Sequence, residues 1–218
     1  MSKIKMCIFD LDGTLINSLE DLAISVNYAL EKNGFATHHV DAYRTFVGDG
    51  AVILIKRAMA TREFTQTEFE LVKKDYDEHY KVHCIDKTAL YDGALELLNE
   101  LKEKDIKLAV ISNKPDDFVK SIMSKMNLTQ YFEYIAGGLP DVPKKPDPYA
   151  FNLLMQKFSL TKGECLYVGD SDVDIFTGKN AGIKTLGASW GFRGRQELID
   201  ANAEIIIDSL SEVLDYVK

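Results

Sequence analysis

One short stretch near the start of the chain limits its folds more than any other. Residues 4–15 read Ile-Lys-Met-Cys-Ile-Phe-Asp-Leu-Asp-Gly-Thr-Leu, an apolar run that ends on two carboxylates and a glycine. Such a run is typical of a buried strand in a parallel sheet, and open α/β sheets bind ligands at the carboxyl ends of their strands. Asp10 and Asp12 repel each other there unless a proton or a cation compensates. We therefore predict an active-site edge, with a divalent metal as the simplest compensation.

Composition and charge disfavour several kinds of partner. The chain has 218 residues, a formal charge of −8 and 46% hydrophobic residues, enough for a sizeable core. Nucleic acids and anionic membranes attract basic patches, so we expect neither as a partner. The three cysteines (Cys7, Cys84 and Cys165) are widely spaced and odd in number, which argues against a disulfide framework and favours the cytoplasm. No run approaches the ~20 apolar residues that span a bilayer, and we expect no signal peptide or anchor.

The periodicity of apolar residues changes along the chain. Residues 16–87 show only helical spacing, beginning after Ser18, and no strand is readable there. From Ala89 helices and strands alternate, which predicts a right-handed parallel sheet and a terminal helix from Ser209. We therefore predict an α/β fold with a doubly wound, mostly parallel Rossmann-like core.

The predicted core consists of residues 1–15 and 88–218, and residues 16–87 form an inserted all-helical cap domain. Two hinge segments, near Leu15 and Ala89, would let this cap open and close over the core. Taken singly, the helices of the insert equally fit a bundle with only a packing role.

Three further polar segments follow predicted strands or interrupt regular structure. Ser112 and Asn113 end a strand, where a hydroxyl and backbone N–H groups are suited to phosphoryl oxygens. Residues 144–148, Lys-Lys-Pro-Asp-Pro, fit no helix or strand because two prolines fix a turn. Residues 169–174, Gly-Asp-Ser-Asp-Val-Asp, place three carboxylates in five residues, a density that needs a cation or open solvent. Each segment alone also fits a turn, a helix cap or solvated charge.

Together these segments resemble the four motifs of the haloacid dehalogenase-like phosphohydrolases, in the family's order. The first motif corresponds to residues 10–15, the second to 111–115, the third to 145–148 and the fourth to 169–174. The departures are small, since Asn17 stands where many members are acidic and serine replaces the commoner threonine at residue 112.

This resemblance implies a two-step hydrolysis of phosphate esters. Asp10 would attack phosphorus to form an aspartyl phosphate, and Asp12 would protonate the leaving alcohol and later activate water. Ser112 and Asn113 would hold phosphoryl oxygens. Lys145 would screen Asp10 from the incoming phosphate and stabilise the phosphoaspartate.

The resemblance also implies a Mg²⁺ site. The Asp10 side chain, the Asp12 main-chain carbonyl and Asp170 would be ligands, and Asp174 would be an outer ligand or orient one. Mg²⁺ prefers octahedral coordination by oxygen with retained waters, which this set allows. Asp172 would instead cap the following helix. A calcium loop is disfavoured because its twelve-residue pattern, with glycine at position six and a terminal Glu, is missing.

The substrate expected from the resemblance is a small phosphorylated metabolite, with 2-phosphoglycolate as the leading candidate. Segments 47–50, 56–58 and 188–193 also resemble phosphoglycolate phosphatase-like sequences. The candidate substrate contacts are Thr14, Asn113, Gly48, Gly50 and Arg57. Of these, the Gly48–Gly50 loop equally fits a helix-joining turn, and Arg57 equally fits a surface ion pair.

We therefore expect a Mg²⁺-dependent phosphomonoester hydrolase that is a monomer or homodimer. The alternatives are a phosphosugar mutase like β-phosphoglucomutase, a pyrophosphatase of the same fold and a non-catalytic phosphoacceptor domain. A dehalogenase is disfavoured because the dehalogenases of this family lack the second aspartate, here Asp12.

Overall fold

The computed structural model describes residues 3–217, and its centre is a six-stranded parallel sheet. In chain order the strands are β1 (Met6–Phe9), β2 (Ile16–Asn17), β3 (Ala89–Leu90), β4 (Lys107–Pro115), β5 (Tyr134–Gly138), β6 (Cys165–Gly169), β7 (Lys184–Ala188) and β8 (Ile206–Ile207). The sheet order is β5-β4-β1-β6-β7-β8, while β2 and β3 form a separate antiparallel pair. The predicted doubly wound α/β fold is confirmed.

Helices connect the strands of the sheet. They are α1 (Leu19–Lys32), α2 (Tyr43–Phe46), α3 (Ala51–Met59), α4 (Gln66–His83), α5 (Ala94–Glu103), α6 (Asp116–Lys125), α7 (Tyr149–Phe158), α8 (Asp172–Ala181) and α9 (Gly194–Asp200). Short 3₁₀ helices lie at Val40–Ala42, Thr129–Tyr131, Lys162–Glu164 and Leu210–Tyr216. None of the helices within residues 3–217 is long and apolar enough to cross a membrane.

Strand β1 is central because its side chains are buried on both faces of the sheet. Cys7 and Phe9 point into the larger core, whereas Met6 and Ile8 pack with Phe151 of α7 in a second cluster. This alternation is the two-residue period of a strand. A continuous apolar run therefore indicates a parallel strand whose side chains are buried on both faces of the sheet.

The register of the sheet determines which chain segments meet at the active edge. Phe9 of β1 lies beside Val110 of β4 and Val168 of β6. All three strands run in the same direction, so the residues that follow them emerge together at one edge. This brings Asp10 close to the polar segments after residues 110 and 168.

The helical insert, residues 19–83, comprises α1 to α4 and lies between β2 and β3. Its longest helices, α1 and α4, pack against each other, and α4 begins with a capping box formed by Thr65 and Glu68. The buried carboxylate of Asp21 in α1 accepts hydrogen bonds from Lys87 N, Thr88 N and Thr88 Oγ1 at 2.7–3.0 Å. The start of the insert is thereby tied to the segment that returns to the sheet.

One sequence prediction about secondary structure is wrong. Residues Ile16–Asn17 form a strand within a segment predicted to be purely helical, pairing with Ala89–Leu90. A two-residue strand is too short to produce a readable period. The terminal helix predicted from Ser209 is present as a 3₁₀ helix, and Ser209 and Glu212 form a capping box at its start.

Candidate active site

Three buried carboxylates meet at the carboxyl edge of the sheet. Asp10 follows β1, Asp170 follows β6 and Asp174 lies in the first turn of α8. Each offers an oxygen within 4.8 Å of the others, and all three residues are less than 9% exposed. This carboxylate cluster combines the first and fourth sequence motifs.

Lys145 supplies the positive charge of the cluster. Its Nζ lies 2.9 Å from Asp10 Oδ1 and donates hydrogen bonds to Asp174 Oδ1 (2.7 Å) and to the Tyr167 hydroxyl (3.0 Å). The backbone of Lys145 is fixed by the side chain of Asn113, which accepts from Lys145 N (2.9 Å) and donates to Lys145 O (3.0 Å). Although burial opposes the charged form, the two carboxylates raise the Lys145 pKa, so the ammonium stays charged.

Asp174 is the most completely hydrogen-bonded member of the cluster. Its Oδ2 accepts from Asp170 N (3.1 Å), Ser171 N (3.1 Å) and Ser171 Oγ (2.7 Å), and its Oδ1 accepts from Tyr167 at 2.5 Å. Burial alone would raise the Asp174 pKa, but the ion pair with Lys145 and these hydrogen bonds lower it. Its contacts are those of a group that orients its neighbours.

The predicted helix cap at Asp172 is wrong. Ser171 is the N-cap of α8, and Asp174 completes the capping box, whereas Asp172 is already the first helical residue. The Asp172 carboxylate accepts from the adjacent Val173 N, at 2.7 Å, and interacts with the Glu197 side chain.

The other two carboxylates carry an uncompensated charge. Burial raises the pKa of Asp10 to about 6 despite Lys145, and burial together with Asp174 and Asp10 raises the pKa of Asp170 well above its usual range. When all three carboxylates are ionised, the single ammonium leaves two negative charges in a buried space, and Asp10 Oδ1 makes no well-directed hydrogen bond. A divalent cation with a preference for hard oxygen ligands fits both the charge and the donor set.

Two glycines and one loop enclose Asp170. A Cβ added at Gly13 would lie 2.4 Å from Asp170 Oδ2, and one added at Gly191 would lie 2.1 Å from Asp170 Cβ. Phe192 N donates to Asp170 Oδ2 at 2.9 Å, and Thr14 Oγ1 donates to Oδ1 at 3.3 Å. Thr14, predicted to contact substrate, is instead fully buried behind Asp170 and does not line the cavity.

Asp12 has a separate set of partners. Its oxygens accept from Lys114 Nζ at 2.9 and 3.0 Å, and Oδ1 also accepts from the Ser18 hydroxyl. Lys114 is buried, and its ammonium lies 4.7 Å from the centre of the Tyr80 ring. No role for Lys114 is predicted from the sequence, because a lysine beside a polar motif is ordinarily a solvated surface charge.

A cavity lies between the strand ends and the insert. The volume in it that water can occupy is about 40 Å³. Core residues form one wall and insert residues the other, with Arg193 between them. The core wall is Asp10, Asp12, Ser112, Asn113, Lys114, Pro115, Asp170, Ser171 and Phe192, and the insert wall is Leu22, Val47, Gly48, Gly50, Ala51, Leu54 and Tyr76.

Two core side chains fasten the insert loop over this cavity. Arg193 Nη2 donates to Val47 O (2.9 Å), and Asn113 Nδ2 donates to Gly48 O (3.2 Å). Gly48 and Gly50, predicted to meet the substrate, lie in the wall of the cavity. Both have positive φ values, +125° and +87°, which favour glycine.

Two other candidates for substrate contact are engaged with protein. Arg57 lies outside the cavity wall, where its Nη1 pairs with Asp49 (2.7 Å) and donates to Phe46 O (3.0 Å). The Asn113 amide is occupied by the backbone of Lys145 and Gly48. The Ser112 hydroxyl accepts from Lys114 N at 3.3 Å and faces the cavity, so its own proton is free for an incoming oxygen.

The chain has a doubly wound sheet beneath a helical insert, with acidic groups and a lysine at the carboxyl edge of the sheet. This arrangement is that of a phosphate ester hydrolase. Residues 7–188 match the model of the haloacid dehalogenase-like hydrolases, and the chain belongs to this family. A phosphoglycolate phosphatase of Vibrio parahaemolyticus is 35% identical over 98% of this chain and 96% of that protein. A phosphoglycolate phosphatase of Pseudomonas fluorescens is 34% identical over 96% of this chain and 78% of its own length.

Solved structures agree with this assignment. A predicted phosphoglycolate phosphatase from Haemophilus somnus has a TM-score of 0.94 and 32% identity, with both chains covered completely. CbbY from Rhodobacter sphaeroides, in complex with phosphate, has a TM-score of 0.82 over 96% of both chains, and at 23% identity it shows the shared fold. The protein is therefore a phosphoric monoester hydrolase similar to phosphoglycolate phosphatases.

Proposed function

We propose that the chain hydrolyses small phosphomonoesters through an aspartyl phosphate on Asp10, with Mg²⁺ as cofactor and 2-phosphoglycolate as the leading substrate. The observation that carries this proposal is the buried cluster of Asp10, Asp170 and Asp174 around Lys145, which has two excess negative charges when all three carboxylates are ionised. The names of the full-length relatives support the choice of substrate.

In the first step a carboxylate oxygen of Asp10 attacks phosphorus, and the bond between phosphorus and the ester oxygen breaks. Asp12, which also lines the cavity, donates a proton to the leaving oxygen, so the alcohol departs neutral. Lys145, 2.9 Å from Asp10, holds the nucleophile in place. The Ser112 hydroxyl is available to donate to a phosphoryl oxygen.

In the second step Asp12 takes a proton from water, and the water oxygen attacks phosphorus. The bond between phosphorus and Asp10 breaks, which releases inorganic phosphate and restores the Asp10 carboxylate. The small cavity limits the water that reaches the phosphoaspartate. The proposed division into a core (1–15 and 88–218) and a cap (16–87) would let substrate enter.

Asp10, Asp170 and the main-chain carbonyl of Asp12 are the proposed ligands of Mg²⁺, and Asp174 orients the site through Ser171 and Lys145. When bound, Mg²⁺ supplies positive charge that reduces the repulsion between the phosphate and the Asp10 carboxylate. Free, buried cysteines at all three positions support a reducing compartment, and we propose the cytoplasm.

The test is a comparison of kcat/KM, with and without Mg²⁺, for 2-phosphoglycolate, pyrophosphate, nucleoside monophosphates and hexose phosphates. We expect Mg²⁺-dependent release of phosphate, with 2-phosphoglycolate preferred. A tenfold preference for another compound, about 1.4 kcal/mol of transition-state stabilisation, would refute the substrate. Interconversion of hexose phosphates without release of phosphate would identify a mutase, and no turnover of any compound would identify a phosphoacceptor.

A further inference from the structure

We infer that Lys114 recognises a carboxylate attached to the ester carbon of the substrate's leaving group, as in 2-phosphoglycolate. This inference rests on the proposed phosphatase function, because it takes the position of the leaving group from the role of Asp12. It replaces the sequence-based candidate Arg57, which the structure places outside the cavity wall.

Lys114 lies where the leaving group must be. Its ammonium is hydrogen-bonded to both oxygens of Asp12, at 2.9 and 3.0 Å, and its side chain is only 5% exposed. Within residues 3–217 the Lys114 ammonium donates hydrogen bonds to Asp12 alone, and its other contact is the face of the Tyr80 ring, 4.7 Å away. A lysine ammonium has three N–H donors, so one donor remains for a ligand in the cavity that Lys114 lines.

The geometry of the substrate matches this position. Asp12 must be within hydrogen-bond reach of the ester oxygen that it protonates. In an O–CH₂–COO⁻ leaving group, a carboxylate oxygen lies about 3 Å from that ester oxygen, given ordinary bond lengths. A cation that contacts Asp12 therefore reaches this carboxylate when the leaving group extends along the Lys114 side of Asp12.

Two other cationic side chains near the site are engaged with groups of the protein. Lys145 directs its ammonium to Asp10, Asp174 and the Tyr167 hydroxyl. Arg193 donates to Val47 O at 2.9 Å and faces Glu197 at 3.4 Å, where it fastens the insert loop.

The facing wall of the cavity is mostly apolar, with Tyr76 as its one side chain that carries a hydroxyl, and this sharpens the discrimination between substrates. Leu22, Val47 and Leu54 line it and offer no side-chain donor to an anion. A substrate without the carboxylate leaves the third N–H of the buried Lys114 ammonium without an anionic partner, and such an unmet donor is penalised. A site with a built-in polar partner rejects analogues that lack the matching group.

The experiment compares 2-phosphoglycolate with ethyl phosphate, which keeps the ester oxygen and two carbons but lacks the carboxylate. The Lys114→Met variant retains side-chain length and loses the charge. We expect the ratio of kcat/KM values for the two substrates to fall at least tenfold in this variant. Any general damage through Asp12 affects both substrates and cancels in the ratio.

The control is Lys104→Met, the same substitution at an exposed lysine just after α5, at the opposite end of β4 from Ser112 and Lys114, for which we expect an unchanged ratio. If Lys114→Met is too slow to assay or misfolds, Lys114→Gln is used in an Asp10→Asn background, and the Kd values of 2-phosphoglycolate and ethyl phosphate replace kcat/KM.

The outcomes separate this inference from the proposed function. A wild-type preference for 2-phosphoglycolate that survives loss of the Lys114 charge, or that is lost to the same extent in Lys104→Met, overturns the inference alone. A wild-type protein that hydrolyses both compounds equally refutes the phosphoglycolate assignment and the inference with it, while the phosphatase chemistry stands.

Discussion

Asp10 and Asp12 are two residues apart in sequence, yet their surroundings differ. Asp10 belongs to a cluster with excess negative charge and has a pKa raised to about 6 by burial. Asp12 instead has its own cation, Lys114, and accepts from the Ser18 hydroxyl. Different surroundings suit two carboxylates to different roles, one as nucleophile and the other as proton carrier.

The Asp10→Asn variant tests the nucleophile. We expect kcat to fall by at least ~10³, the scale seen when a covalent catalytic unit is broken. The fold should persist, because the amide removes one charge from an over-charged cluster while Lys145 keeps its ion pair with Asp174. Steady-state kinetics with circular dichroism check this, and near wild-type turnover by a folded variant would contradict the mechanism.

The loop after β6 allows a matched comparison of two carboxylates. Asp170→Ala should raise the Mg²⁺ concentration for half-maximal activity at least tenfold, because Asp170 is buried in the cluster. Asp172→Ala should change it less than twofold, because that carboxylate contacts Val173 N and Glu197 and lies outside the cluster of Asp10, Asp170 and Asp174. Titration of activity with Mg²⁺ distinguishes the two, and equal effects would reject the ligand assignment.

Individual site residues show where prediction from the sequence succeeds and where it fails. Asp10, Asp170 and Lys145 were selected because carboxylate density and prolines are unusual locally, and the structure brings them together. The ion pair of Lys114 with Asp12 and that of Arg57 with Asp49 cannot be predicted from the sequence, because the partner of a long cationic side chain depends on tertiary contacts. Asp12 is 102 residues from Lys114, a separation that no local pattern encodes.

Among the secondary-structure elements, the parallel sheet can be predicted from the sequence, whereas the pair of strands β2 and β3 at the hinge cannot. A covered parallel strand such as β1 produces an apolar run, and amphipathic helices produce a 3.6-residue period. The β2 and β3 strands contain two residues each, so their pairing depends on the fold around them. The boundaries of the cap at 15/16 and 87/88 stay a prediction.

The contact between Arg193 and Val47 predicts how the insert moves. Spin labels on cysteines introduced at the exposed positions Lys74 and Gln156 report the distance between insert and core, since the native cysteines are buried. We expect 2-phosphoglycolate, added to the Asp10→Asn protein with Mg²⁺, to narrow the distance distribution toward shorter values. One fixed distance under all conditions would refute a mobile cap.

The Arg193→Gln variant tests whether the hydrogen bond from Arg193 to Val47 O holds the insert loop over the cavity. Loss of a hydrogen bond to a charged group costs about 1.5–3 kcal/mol, so we expect a broader distance distribution and roughly a tenfold lower kcat/KM. Arg195→Gln is the matched control, because Arg195 is exposed and pairs with Asp208 away from the cavity. Identical effects of the two substitutions would show that Arg193 has no special role in closure.

At the scale of the whole molecule, folding and metal binding are linked through the carboxylate cluster. The fold brings together charges from residues 10, 170 and 174, and only one lysine neutralises them. A protein with excess buried charge is less stable without a counter-ion than its core packing implies. Stability of the metal-free protein therefore depends on pH.

The sign of this dependence follows from the pKa shifts. Asp10, with a pKa of about 6, and Asp170, with a pKa well above its usual range, bind protons more tightly in the folded than in the unfolded chain. Metal-free stability should therefore fall as pH rises from about 4 through 6 and beyond. Asp174, with a lowered pKa, has the opposite effect, but only below its ordinary value, outside this window.

Mg²⁺ binds the ionised carboxylates, so its stabilising effect should grow with pH. Each tenfold increase in the ratio of Mg²⁺ to its Kd adds about 1.4 kcal/mol, or roughly 3–5 °C in Tm for a chain of this size. We expect the increase in Tm on adding Mg²⁺ to be at least about 3 °C larger at pH 8 than at pH 5. Asp170→Asn, which removes one of the two raised carboxyl groups, should reduce this difference, whereas Asp172→Asn should leave it unchanged. Equal Mg²⁺ shifts at pH 5 and pH 8 in the wild-type protein would show that protons and metal do not compete for this cluster.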